Sequence, residues 1–267
     1  MMNSQKFIIH HSAFIICRSV LSCARGNPGC MTDSTALKHA PSLVLASASP
    51  RRRELLRYLT PDFVAVATRG EEEDRPLPPA LARTLPPFDL DPETHPAMLA
   101  WRKAAAASEG MADGVVLGAD TIVVVDGDVL GKPSDDAEAR LMLRRLAGRT
   151  HRVYTGLAGL CVDRPAELRW ALEWADVRMS ELSDGEIAGY VATGEPMDKA
   201  GAYGIQGLGG RLVQDVWGSY TCVVGLPLRA THALLLSLGI SALVDPDQAV
   251  ARWLADGERV RPPSSAP

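Results

Sequence analysis

The sequence lacks the features that mark several large protein classes. No apolar run approaches the ~18 residues a helix needs to cross a bilayer, so no membrane span is expected. Basic residues are not in excess: 28 Lys and Arg stand against 32 Asp and Glu, for a net charge of −4. A general nucleic-acid binder carries a strong basic surplus, so no nucleic-acid partner is expected and any anion site has to be local. Cysteine is sparse, with five residues at Cys17, Cys23, Cys30, Cys161 and Cys222. The number is odd, and no pair shows the short spacing of a zinc or redox motif. Cys161 and Cys222 read as buried thiols in a reducing compartment, which points to the cytoplasm.

What is present is an ordinary globular composition. The chain has 267 residues, 46% hydrophobic and 22% charged, enough for a sizeable core. Residues 1–40 stand apart. His10 and His11 interrupt their apolar stretch, which spoils a secretory signal. The segment reads as a disordered leader, or as the product of a start codon placed ahead of the true start at Met31. A domain is expected over 41–240, followed by a C-terminal extension over 241–267 that is largely flexible apart from a short helix near Trp253.

Within the domain, Leu43 to Ala46 reads as a buried strand. Ser49 is placed to cap a helix, with Pro50 at its first position. Phe63 to Val66 reads as a second strand. Seven prolines between Pro76 and Pro96 predict an irregular surface loop. A helix is expected from about Ala97 to Glu109. Val115 to Val125 is β-rich, and Asp126-Gly127 marks a two-residue hairpin. Ser134 is expected to cap the next helix, which Gly148 ends. Strands near 151–162 and 168–179 follow, then a capping box at Ser183 and Glu186. A glycine-rich loop from Gly201 to Gly210, a strand near 211–216 and a helix from about Leu228 to Leu238 complete the pattern. Alternating strands and helices make an α/β class. The hairpin makes the sheet mixed, in a single domain with flanking helices.

Three groups of residues carry chemistry. Ser47, Ser49, Arg51 and Arg52 surround a helix N-terminus, where free N–H groups and guanidinium forks suit phosphate oxygens. Read alone, the segment is equally a capped helix with solvated arginines. Asp120 lies in an apolar strand, and a buried carboxylate is paired or bound to a metal. With Glu72 and Glu73 as further carboxylates and Lys103 and Lys132 as cations, these are the parts of a magnesium-assisted phosphoanhydride hydrolase. The Gly204 to Gly210 stretch lacks the Gly-Lys-Ser/Thr ending of a P-loop. Its glycines suit close approach to a ligand, and the Gln206 amide suits a base edge.

Five ordered motifs then carry a resemblance: Leu45 to Arg52, Gly118 to Thr121, Gly131 to Pro133, Asp198 to Gly207, and Val224 to Pro227. From about residue 43 to 238 the chain resembles the Maf family of nucleoside triphosphate pyrophosphatases, also called septum formation inhibitor proteins. The resemblance implies a Maf/ITPase-like fold with a cleft between two lobes. It implies cleavage between the α- and β-phosphates with Mg²⁺ or Mn²⁺, and removal of unwanted nucleotides before incorporation. In the family, the residues matching Asp120, Glu73, Lys103 and Lys132 form the catalytic and metal-binding centre, with the one matching Asp120 as the base. Those matching the serines and arginines of the first motif, and Gln206, contact the nucleotide. The Lys199 to Gln206 run is similar to the branch acting on dTTP and UTP. The alternatives are a nucleotide-binding regulator of septum formation without turnover, and a 7-methyl-GTP pyrophosphatase. Family members are often homodimers, so a homodimer is expected. Two departures stand out. Position 48 is alanine where glycine is frequent, and the stretch from Glu73 to Lys103 is longer than usual, leaving the choice among Glu71, Glu72 and Glu73 open.

Overall fold

Period-two alternation along one long strand divides the molecule into two packed layers. The computed structural model describes residues 15–18, 42–68 and 75–260. Its strands are β1 (Ile15–Arg18), β2 (Leu43–Ala46), β3 (Val64–Val66), β4 (Val115–Val125), β5 (Asp128–Leu130), β6 (Thr150–Cys161), β7 (Arg169–Met179) and β8 (Val213–Gly218). Its helices are α1 (Pro50–Leu59), α2 (Pro79–Ala82), α3 (Pro96–Ser108), α4 (Asp136–Leu146), α5 (Asp184–Val191), α6 (Tyr220–Val224), α7 (Leu228–Ser237) and α8 (Pro246–Val260). The strands form one sheet in the order β1-β7-β6-β4-β2-β3, with β5 also on β4 and β8 also on β7. The β2–β3 and β2–β4 pairs are parallel and the others antiparallel. The mixed α/β sheet expected from the sequence is present.

On β4, Val115, Leu117, Ala119, Val123 and Val125 enter the main core with Leu55, Leu56, Leu143 and Leu235 from the helices. The intervening Val116 and Gly118 face α3 instead. That second contact is very close. A Cβ on Gly118 would lie 1.9 Å from the Ala100 carbonyl oxygen, and one on Gly156 of β6 would lie 2.2 Å from the Ala97 nitrogen. Only glycine lets the α3 backbone settle directly on the two strands.

Several expectations are met at the level of caps. Ser49 caps α1, accepting from Arg52 N at 3.4 Å, with Pro50 in the first turn. Asp126 and Gly127 have φ of 53° and 83°, as a type I′ hairpin requires. The Ser183–Glu186 capping box is formed. Ser134 is not the cap of α4. Asp135 takes that place, accepting from Glu138 N at 2.8 Å, and Ser134 donates instead to the Glu138 carboxylate. A carboxylate at the cap is favoured by both the free N–H groups and the helix dipole.

The proline segment is more ordered than a free surface loop. Leu77, Leu81 and Leu85 pack against a small core around Trp101 and Trp170. Trp170 Nε1 donates to Thr84 Oγ1 at 2.9 Å. The segment ends at His95, whose Nδ1 accepts from Ala97 N at the start of α3. Its Nε2–H therefore donates to the Pro86 carbonyl at 3.0 Å. The helix near Trp253 is also longer than expected, at 15 residues. Ala249 and Trp253 join the main core, and Trp253 Nε1 donates to Glu54 on α1. Within the leader, Ile15–Arg18 lies antiparallel to β7, an element the sequence reading did not place.

The α3 contact generates a stability prediction. Gly156→Ala should destabilise the fold by about 1–3 kcal/mol, because backbone rather than a movable side chain occupies the space. Urea unfolding should show a lower midpoint with an unchanged slope, and an unchanged midpoint would refute the close contact.

Candidate active site

β4 runs further than its parallel neighbour, and that difference in length opens the site. β2 pairs with β4 only as far as Gly118, and β5 joins the same edge from Val123. Between them, Ala119 to Ile122 pairs with β6 alone among the described strands. The loop after β2 and the start of α1 lie at this gap, beyond the carboxyl end of β2, where open α/β sheets place ligands.

A cleft of about 610 Å³ occupies this position. It is lined by Ser47, Ser49, Arg51 and Arg52 from the turn into α1, by Lys103 from α3 and by Asp120 from β4. Lys132 follows β5, and Gln206 comes from the glycine-rich loop. The structure thus gathers eight of the nine residues singled out from the sequence. The ninth, Glu73, lies outside the described residues, as do Glu71 and Glu72.

Asp120 and Lys103 are paired, with Lys103 Nζ 2.7 Å from Asp120 Oδ1. Their side chains are 14% and 9% exposed, so this is a largely desolvated charge-assisted bond. Lys103 lies one turn beyond Ala100, the residue that rests on Gly118, and Asp120 lies two residues beyond Gly118 on the same sheet face. The glycine contact therefore sets the pair's geometry. In the first motif, Ser47 Oγ accepts from Ser49 N at 3.2 Å. Arg51 reaches Asp198 at 3.4 Å across the cleft. Arg52 donates to the Gly225 carbonyl and to Thr121 Oγ1.

The wall formed by residues 199–210 is held by an acid the sequence reading passed over. Glu195 accepts from Tyr190 Oη at 3.0 Å, Leu208 N at 3.2 Å and Gly209 N at 3.0 Å. Tyr190 Oη in turn accepts from Gly204 N. Nothing in the local pattern marks Glu195, because its partners are the Tyr190 hydroxyl and backbone groups of a loop with no regular period. Gln206 Oε1 is buried and has no hydrogen-bond partner among the described residues. A buried acceptor left open is costly unless a ligand completes it. Glu93 and Thr94 also line the cleft, so the long proline segment contributes to its wall.

A family model described as Maf-like protein matches residues 42–238. The chain belongs to the Maf family. It is 48% identical over 197 residues to a dTTP/UTP pyrophosphatase of Symbiobacterium thermophilum, covering 74% of this chain and 94% of that relative. It is 49% identical over 199 residues to a dTTP/UTP pyrophosphatase of Moorella thermoacetica, covering 74% and 95%. Against a dTTP/UTP pyrophosphatase of Escherichia coli O157:H7 the identity is 47% over 195 residues, covering 73% and 91%. The cleft of this Maf-family chain lies wholly inside the matched region. No helix among the described residues is long and apolar enough to cross a membrane.

One wall residue of the cleft rests on a buried histidine. Tyr203 lines the cleft, and its hydroxyl contacts His151 Nε2 at 2.7 Å. Burial pushes His151 down from its ordinary value of 6.5 to about 4, against a weaker upward pull from Asp176. Between those values the unfolded chain carries a proton that the folded chain does not. Stability should therefore be full above about pH 6.5 and fall as pH drops towards 4, by on the order of 3 kcal/mol. His151→Gln should flatten that part of the acid limb in urea unfolding at pH 7, 5.5 and 4.5. An unchanged limb would exclude His151 as its source.

Proposed function

We propose that this chain hydrolyses nucleoside triphosphates between the α- and β-phosphates, releasing a monophosphate and pyrophosphate, with dTTP and UTP as substrates. The observation that carries the reading is the assembly of two arginines, two lysines, a paired aspartate and an open amide acceptor in one cleft. The names of relatives 47–49% identical to the chain support the substrate class.

The roles follow from donor chemistry. Arg51 and Arg52 present planar forks to phosphate oxygens, and the α1 N-terminus adds the positive end of a helix dipole. Lys132, after β5, supplies a further cation to the cleft. Gln206 pairs with the base, offering its carbonyl oxygen to a ring N–H and its amide hydrogens to a ring carbonyl. Lys103 fixes Asp120 through Oδ1. Asp120 then orients the attacking water and takes its proton, as the new P–O bond to the α-phosphorus forms and the bond to the pyrophosphate leaving group breaks.

A divalent cation, Mg²⁺ or Mn²⁺, belongs to this reading. Among the described residues no three His, Cys, Asp or Glu side chains converge as a self-sufficient metal site. Magnesium is commonly held by one or two carboxylates together with substrate phosphates, and Asp120 in the cleft fits that role, with Glu73 as the second acid. When bound, such an ion would offset charge on the phosphate oxygens. The reading also includes a cytoplasmic homodimer acting on unwanted pyrimidine nucleotides.

A panel of dTTP, UTP, CTP, dATP and 7-methyl-GTP with Mg²⁺ or Mn²⁺ tests the activity through pyrophosphate release. Turnover should favour dTTP and UTP. Binding without release would support a regulator, and preference for 7-methyl-GTP would move the chain to the other branch. Asp120→Asn should lower kcat by about 10²–10⁴-fold, and full activity in that variant would refute its role. Gln206→Ala should narrow the preference for dTTP over dATP by roughly tenfold in kcat/KM, whereas an unchanged ratio would remove Gln206 from base recognition.

A further inference from the structure

Arg52 is held in a closed ring of hydrogen bonds that passes through a residue outside the cleft. Thr155 on β6 is fully buried. Its Oγ1 donates to the Cys222 carbonyl at 2.8 Å. A hydroxyl has one proton to give, so in the 2.9 Å contact between Thr155 Oγ1 and Thr121 Oγ1 it is Thr121 that donates. With its own proton committed, Thr121 Oγ1 accepts from Arg52 Nη2 at 3.1 Å. On the other side, Arg52 Nε donates to the Gly225 carbonyl at 2.8 Å. The Gly225 N–H donates to the Cys222 carbonyl at 3.0 Å, which closes the ring.

Each bond in this ring has a fixed direction. The arrangement also needs glycine at its corner. Gly225 has φ of 115°, and a Cβ there would lie 3.3 Å from Thr121 Oγ1 and 3.4 Å from Arg52 Nε. A guanidinium on a flexible stem loses rotamer freedom when it grips an anion. A ring that engages two of its donors beforehand lowers that loss, and bonds in series polarise one another.

We propose that Thr155 is a positioning residue for Arg52, acting through Thr121, and that it raises affinity for the triphosphate without touching it. The proposal rests on the reading of the cleft as a triphosphate site. Thr155→Val keeps the shape but removes both functions of the hydroxyl. Thr121 then loses the acceptor that fixed its proton, and its oxygen is no longer held towards Arg52.

The test is a double-mutant cycle read by calorimetry and by steady-state kinetics. The probe is an α,β-methylene analogue of dTTP with Mg²⁺, which binds without turnover. Thr155→Val should weaken its Kd about tenfold in the wild-type background, the scale of a hydrogen bond to a charged group, and raise KM for dTTP in parallel. On an Arg52→Lys background, which lacks the fork, the same change should add less than about twofold, since coupled residues are non-additive. Thr155→Ser keeps the hydroxyl and should restore most of the affinity.

Equal weakening in both backgrounds would mean a packing effect and overturn the proposal, as would a Thr155→Ser loss equal to that of valine. Should Thr155→Val not fold, Thr121→Val breaks the same ring from the cleft side, and its cycle with Arg52→Lys reads the same coupling. Tight analogue binding with no pyrophosphate release from any nucleotide would sink the proposed activity but leave the ring standing on its affinities. Uncoupled variants in an active enzyme would sink the ring alone. A wild-type chain that does not bind the analogue overturns both.

Discussion

The seating of α3 on two strand glycines is the constraint from which the site follows. Gly118 and Gly156 remove the side chains that would hold a helix off the sheet, and Ala97 and Ala100 meet the strands through backbone atoms. The arrangement gives up side-chain packing at these points and gains a fixed height for the helix. One turn later, Lys103 is brought to Asp120 with little water between them. A charged pair so placed is costly to desolvate, and close helix seating is what keeps its geometry tight enough to persist. The same helix is capped by His95, which also ties down the proline segment. Stability of the scaffold and placement of charge are therefore a single problem in this fold.

The chain carries a net negative charge, yet it concentrates cations where an anion would arrive. It does so by geometry rather than by surplus. Arginines from α1, a lysine from α3 and a lysine after β5 converge because the gap along β4 brings these elements to one edge. The arginines share α1, and each lysine comes from a different part of the chain. A local field of this kind acts at short range, and salt screens it beyond roughly 8–10 Å. Selectivity must then come from contact groups such as Gln206 and not from long-range attraction.

Much of the fold was legible where a single residue type solves a single problem. Ser49-Pro50 marked the start of α1, Asp126-Gly127 the hairpin, and Ser183 with Glu186 a capping box. The candidate residues were legible only in combination. The arginines alone read equally as a capped helix, and Asp120 alone as half of a structural ion pair, while the ordered motifs together pointed to one cleft, which eight of the candidate residues line. What escaped was long-range. Ser134 and Asp135 are both good caps, and only the backbone path chooses between them. Prolines suggested an irregular loop, but Leu77, Leu81 and Leu85 found a partner surface that no local rule reveals. Trp253 anchors a full helix because Glu54, far away in sequence, receives its N–H. Glu195 serves backbone groups of a loop, a role that leaves no trace in spacing.

The Arg51–Asp198 contact joins the two walls of the cleft at 3.4 Å, with Asp198 largely exposed. An exposed pair of this sort contributes no more than about 1 kcal/mol. Each wall is secured internally by several bonds, whereas this bridge between them is cheap to break. A polyphosphate bound in this cleft would compete with Asp198 for the same guanidinium, and Asp198 would keep Lys199 as its partner, so Arg51 is a donor held in reserve at little cost.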